Sequence, residues 1–180
     1  MHGDTAMRKL AQIIYLAILC AFVDVTTVAA QQMAAGCSSE HPANAAQTLR
    51  CRGGVIIVAE DGAKFTLQDR ANNGVVDSVD LQSRALLLEV PKQRGKDRFK
   101  VTTPQAIAAV RGTKWAVDVQ ETRTSVLVLR GEVAVQRPSG AGQVTLGPGQ
   151  GVDVDQGTTP LVVKRWPEAR VAALLARLGQ

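Results

Sequence analysis

Aromatic residues are scarce in this chain of 180: three Phe, two Trp and one Tyr. So few rings offer no platform on which nucleic-acid bases could stack, which sets that class of ligand aside. Histidine is rarer still, with only His2 and His41. Nucleophilic catalysis needs a base held beside the nucleophile, and one histidine in a stretch that reads as irregular does not supply it. A metal site would need more ligands near His41 than the sequence provides. A paired-carboxylate hydrolase stays formally open through Asp118, Glu121, Glu132, Asp153 and Asp155. Acidic residues on the polar faces of strands are ordinarily solvated, so the reading is of a protein that is not an enzyme.

A long apolar run is also missing. Leu10 to Val23 (LAQIIYLAILCAFV) is apolar apart from Gln12, but its fourteen residues would span only about 21 Å as a helix, short of the roughly 30 Å hydrocarbon core. Arg8 and Lys9 precede it, and Val28 and Ala30 place small residues before Gln31. This is the layout of a secretory signal peptide over residues 1–30. The pattern reads better from Met7 than from Met1, leaving either as the start. An uncleaved signal anchor in the inner membrane is the alternative; without it no stable membrane span remains, and the chain is periplasmic or secreted.

Three cysteines are present, and Cys20 would leave with the signal. In an exported protein the remaining pair, Cys37 and Cys51, is expected to form a disulfide, worth about 3 kcal/mol for so short a loop. The stretch Ala34 to Cys37 (AAGC) faintly resembles a lipoprotein box but lies too far from the apolar run. The formal net charge is +5. Arg8 and Lys9 balance Asp4 and Asp24, so the excess belongs to the mature part and suits anionic envelope polymers, lipid head groups or acidic protein faces.

Residues 31–50 read as an irregular segment tied down by the disulfide, and residues 51–165 as a β domain. Strand-sized runs recur every eight to twelve residues: Val55 to Ala59, Lys64 to Gln68, Ala85 to Val90, Arg98 to Thr102, Lys114 to Val119, Ser125 to Leu129, Glu132 to Gln136, Gln143 to Leu146 and Val152 to Asp155. Such spacing predicts an all-β fold, as a sandwich, barrel or solenoid. Gly112, Gly131 and Gly149 lie 19 and 18 residues apart, each followed by an alternating Val pair. That period favours a short β-solenoid or roll over a β-sandwich, although a meander of hairpins gives a similar rhythm. Residues 166–180 read as a helix with Pro167 in its first turn and Val171, Leu174, Leu175 and Leu178 on one stripe. Its expected place is as a cap on an open end of the β domain, with partner docking as the alternative.

Two polar stretches invite a sharper reading. Asp69, Asn73, Asp77 and Asp80 follow the ligand rhythm of a calcium loop, with Gly74 at its turn. Ala71 stands where a third-position ligand belongs, so any Ca²⁺ site is weak, and an ordinary Asn-Gly hairpin is preferred. Lys92, Arg94, Lys96, Arg98 and Lys100 place positive charge at every second position, either as a solvated loop or as a contact for an anionic partner.

From Val101 to Val154 the chain resembles the periplasmic FecR-type domain of bacterial envelope signalling proteins. The resemblance rests on Thr103-Pro104 with Ala106, then Arg111-Gly112-Thr113 with Trp115, Val117 and Val119. It continues through Ser125 to Gly131, with Arg130 beside that glycine, to Val133 and Val135, then Leu146 and Gly149-Gln150. It implies a solenoid-like β architecture and a role in signalling. Regulators of this type reach a cytoplasmic sigma factor through an N-terminal cytoplasmic domain and a membrane span. Neither is read ahead of Leu10, so the expectation is a stand-alone exported domain that binds a protein partner and has no direct sigma-factor contact. A structural envelope component held to an anionic polymer is the second reading. In either case Gly112 and Gly131 would form tight corners, with Arg111 and Arg130 stacked and paired to Asp118 or Glu132.

Overall fold

A computed structural model describes residues 36–40, 45–92 and 98–180. Residues 1–30, read above as a signal peptide, and His41, Arg94 and Lys96 lie outside the described residues. The described residues form thirteen strands and one C-terminal α-helix: β1 (Cys37–Glu40), β2 (Gln47–Cys51), β3 (Ile56–Ala59), β4 (Lys64–Gln68), β5 (Ser78–Val90), β6 (Phe99–Thr102), β7 (Ile107–Val110), β8 (Thr113–Val119), β9 (Arg123–Arg130), β10 (Val133–Gln136), β11 (Gln143–Leu146), β12 (Gln150–Asp155), β13 (Lys164–Arg165) and α1 (Glu168–Arg177). The all-β roll and the C-terminal helix are therefore as read. The first hairpin is not: β1 and β2 pair antiparallel where an irregular segment was expected, with Cys37 opposite Cys51. Those two residues are joined as a disulfide, their Cα atoms 3.9 Å apart.

The strands curl into two halves that share a core. One half runs β1-β2-β3-β5-β8-β9-β12-β13 and the other β4-β5-β6-β7-β10-β11. The long β5 belongs to both. Its first part pairs with β4 and β6, its second with β3 and β8. The switch falls at Arg84, which holds a left-handed φ of 66°. There the inward residues change from Val79 and Leu81 to Leu86 and Leu88, the parity shift that one bulged residue produces. Glu60 fixes this kink, accepting from the Ala85 amide at 2.9 Å and from the Arg84 guanidinium.

The glycine period has a physical origin in this curl. Gly112, Gly131 and Gly149 all have positive φ, and each marks the point where the chain crosses between halves: β7 to β8, β9 to β10, β11 to β12. Apart from β5 with β6, every ladder is antiparallel. The repeat is therefore a meander of bent hairpins rolled on itself, and its corners stack without parallel coils. The corners are tied together, because the buried Thr113 hydroxyl donates to the Glu132 carbonyl at 3.0 Å.

Inward residues, among them Leu81, Leu86, Leu88, Trp115, Val117, Val126 and Val133, form the main core. A second apolar layer lies on the outer face of the first half. Ala85, Leu87, Ala116 and Leu127 pack there with Trp166, Leu174 and Leu178. Thus α1 covers a sheet face and not an open end. The small Ala85 and Ala116 let it approach, and Leu174 and Leu178 supply the apolar stripe.

Candidate functional site

The two outer faces differ, and the difference defines the site. On the first half the sheet is acidic and α1 brings the cations. Arg177 donates to both Asp118 carboxylate oxygens, at 3.0 and 2.9 Å, and to Glu60 at 3.0 and 2.6 Å. The two carboxylates lock the proton onto the guanidinium and raise its pKa further. Two turns earlier on α1, Arg170 grips Asp153 and lies 3.5 Å from the centre of the Trp166 ring. Ser125 donates to Asp153 at 2.7 Å. Burial pushes the Asp153 carboxyl up, but the bonds from Arg170 and Ser125 outweigh it and hold the group below the ordinary Asp value. These bonds join guanidinium forks to carboxylates in a partly dry setting, where geometry adds to charge.

On the second half the outer face carries Arg98, Lys100 and Arg111 beside Glu132 and, among the described residues, no helix. Successive ladders align Lys100, Ala109, Ala134 and Thr145 in one row across β6, β7, β10 and β11. Their neighbours Phe99, Val101, Val110, Val133 and Val135 point inward and are buried, so strand alternation fixes this row outward. Over it lies a groove of about 470 Å³, lined by Arg98, Ala109, Arg111, Glu132, Ala134 and Thr145 among others. Ala109 and Ala134 make the floor low; Arg98 and Lys100 are exposed at one rim. Of the cationic run expected to contact an anionic partner, Lys92, Arg98 and Lys100 are described and exposed.

The other singled-out residues serve the framework. Thr103 and Pro104 turn the chain from β6 into β7. The Thr103 hydroxyl lies 2.8 Å from that of buried Thr124, which donates to Gln105 at 2.8 Å. Trp115 is wholly buried. Arg130 pairs with Glu89 at 2.7 Å, which corrects the expected pairing with Asp118 or Glu132, since Asp118 is taken by Arg177. Asp118 and Asp153 share a row on either side of Ser125, each bound to an arginine, and Asp155 is bound to Arg123 at 2.6 Å. The structure thus ties these carboxylates to cations, while Glu121 is exposed in the β8–β9 turn.

The suggested calcium ligands are likewise engaged. Asp69 accepts from the Asn73 and Gly74 amides at 3.1 and 2.6 Å, and so organises the loop itself. Asp77 accepts from the Arg70 side chain and amide, both at 3.0 Å, and from Ser78. Burial raises its pKa, but these donors outweigh that and leave it lowered. Asp80 lies inside β5, opposite Thr66 and bonded by Gln82. The structure does not gather the four, and no group of three or more His, Cys, Asp or Glu suited to a metal occurs among the described residues.

Sequence reasoning found the rim of the groove but missed its floor. The signal was present in Ala109 and Ala134, each set between inward valines or alanines on a short strand. Among the described residues no helix is long and apolar enough to cross a membrane.

The model of the family described as "FecR protein" matches residues 40–134, more than half of the chain. No curated protein sequence matches. Two crystal structures of a candidate anti-sigma factor from Parabacteroides distasonis ATCC 8503 are similar in fold, each with a TM-score of 0.59 and 20% identity over 73% of this chain. The match covers 61% of the length of each of those chains.

Proposed function

The chain belongs to the FecR protein family, and we propose that it works as an exported, non-enzymatic binding module in envelope signalling, with no direct hold on a sigma factor. The family match carries this reading. The fold of the anti-sigma candidates is consistent with it, and the charged groove on the outer face of the second half supplies a surface for a partner. Of the carboxylates that might have served hydrolysis, Asp118, Asp153 and Asp155 are occupied by arginines, which supports binding over catalysis. Fractionation with mass spectrometry of the N-terminus tests the location: the expected product begins at Gln31 in the periplasm. Recovery of the chain in the cytoplasm, bound to a sigma factor, would sink the proposal.

A second reading, attachment to an anionic envelope polymer, draws on exposed Lys92, Arg98 and Lys100. Affinity capture from periplasmic extract against co-sedimentation with peptidoglycan separates the two. A defined protein partner favours the first, and polymer binding without one favours the second.

A further inference from the structure

We propose that the Cys37–Cys51 disulfide is a redox-sensitive latch on the β4–β5 loop: its reduction frees β1 and opens residues 69–75 while the rest of the roll stays folded. This goes beyond the binding-module reading and does not depend on it. The disulfide joins directly opposed residues of β1 and β2, and the chain neighbours of both cysteines grip the loop. The Gly36 carbonyl accepts from the Arg52 amide at 2.8 Å. A β-carbon at Gly36 would collide with the Gly74 carbonyl oxygen, and one at Gly74 would meet the Arg52 guanidinium at 3.1 Å. Gly74 is thus held between Gly36 and Arg52. Its own amide donates to Asp69, which also takes the Asn73 amide. Closure of the loop and seating of Gly36 therefore meet at one residue.

Little else keeps β1 in place. Ser38, Ser39 and Glu40 are exposed, and Cys37 is half-buried. So short and polar a strand adds little pairing stability of its own. By contrast, β2 stays paired with β3, and Cys51 belongs to the main core. Wholly buried Val76 anchors the far end of the loop, which confines the opening to residues 69–75. The chemistry is thiol–disulfide exchange with a dithiol of the C-x-x-C class. The attacking thiolate bonds to the Cys37 sulfur, the less buried of the two, and Cys51 leaves as a thiolate that takes up a proton. The second thiol of the reductant then displaces Cys37. Two thiols form on this chain and one disulfide on the reductant.

The test uses the purified chain, oxidised or treated with about 10 mM dithiothreitol as the dithiol probe. Amide hydrogen exchange read by mass spectrometry should rise at least about tenfold over residues 69–75 on reduction, and stay within about twofold over residues 113–130. Trypsin should cut after Arg70 correspondingly faster. Cys37→Ser with Cys51→Ser should show the fast loop exchange with or without dithiothreitol. Gly36→Val should open the loop with the disulfide intact. Arg52→Ala, at an exposed side chain, makes the same test without touching the backbone and should raise loop exchange in the oxidised chain severalfold. Thermal melts confirm that each variant folds. A disulfide that dithiothreitol does not reduce in the folded chain, or loop exchange unchanged by reduction, overturns the proposal. So does an equal rise over residues 113–130, which would make the disulfide a general staple. These readouts are independent of partner capture, so the latch and the binding module fail separately.

Discussion

Gly131 packs directly on Gly112: a β-carbon at Gly131 would lie 2.7 Å from the Gly112 carbonyl oxygen and 3.0 Å from the Thr113 hydroxyl. The two Arg-Gly pairs are thus adjacent corners of one stack, with φ of 86° and 72°. Any side chain at Gly131 meets backbone as well as a strained φ. Gly131→Val should cost about 2–4 kcal/mol or prevent folding. Arg130→Ala, which removes an exposed pair, should cost under about 1 kcal/mol. Urea unfolding of both variants checks this, and a Gly131→Val midpoint equal to wild type would refute the corner assignment.

Arg177 is the main electrostatic tie of α1. Its removal takes the guanidinium from Asp118 and leaves Glu60 with only Arg84 and the Ala85 amide; the two carboxylate side chains are only 9% and 11% exposed. Arg177→Ala should therefore destabilise by about 2 kcal/mol, less than a fully buried pair because Arg177 itself is part exposed. Arg177→Lys should not restore this, since one ammonium cannot reproduce two forked contacts. A double-mutant cycle with Asp118→Ala should show coupling. Simple additivity would mean that the pairing contributes nothing.

Asp153 makes stability depend on acid. Its carboxyl titrates below the ordinary value of 3.8 in the folded chain, so its contribution is present above that pH. As pH falls below 3.8 toward the folded value, the unfolded chain takes up the proton first and the contribution is lost. Asp77 acts in the same direction in the β4–β5 loop. Asp153→Asn should be less stable at neutral pH and should flatten the acid limb. An unchanged slope in denaturation between about pH 2 and 4 would contradict this assignment.

The disulfide closes a 14-residue separation across an edge hairpin. Reduction, or Cys37→Ser with Cys51→Ser, should lower stability by about 3 kcal/mol. The rest of the sheet should remain, because β2 still pairs with β3. Loss of all β signal on reduction would show that the hairpin nucleates the fold.

β10 was legible because burial on one face writes a period of two into the sequence, whereas β8 and β9, buried on both faces, were legible as near-continuous apolar runs. β1 and β2 were not, since CSSE and QTLRC are mostly polar and carry no apolar alternation, and a covalent link ties the pair. β7 (IAAV) hid behind alanines, which have little strand preference. The first part of β5 hid behind Asp80 and Gln82 on its exposed side. The Gly112–Gly131–Gly149 period was visible, but periodicity alone does not say whether neighbouring runs are parallel or antiparallel. Nor could it say that Arg177 finds Glu60, a contact made by rolling the sheet and not by local spacing. For the groove, the charges of Lys92, Arg98 and Lys100 were readable and the low floor was not, because an outward alanine is recognised only once the register is known.

The Arg177–Glu60 contact joins residues 117 positions apart, with Asp118, Ser125 and Asp153 drawn into the same layer. During synthesis or threading through a pore, nearly everything between them emerges before that layer can close. The outer surface around Leu87 and Leu127 therefore stays sticky until a late moment. A chain halted short of Leu174 would be a client for chaperones rather than a smaller working protein.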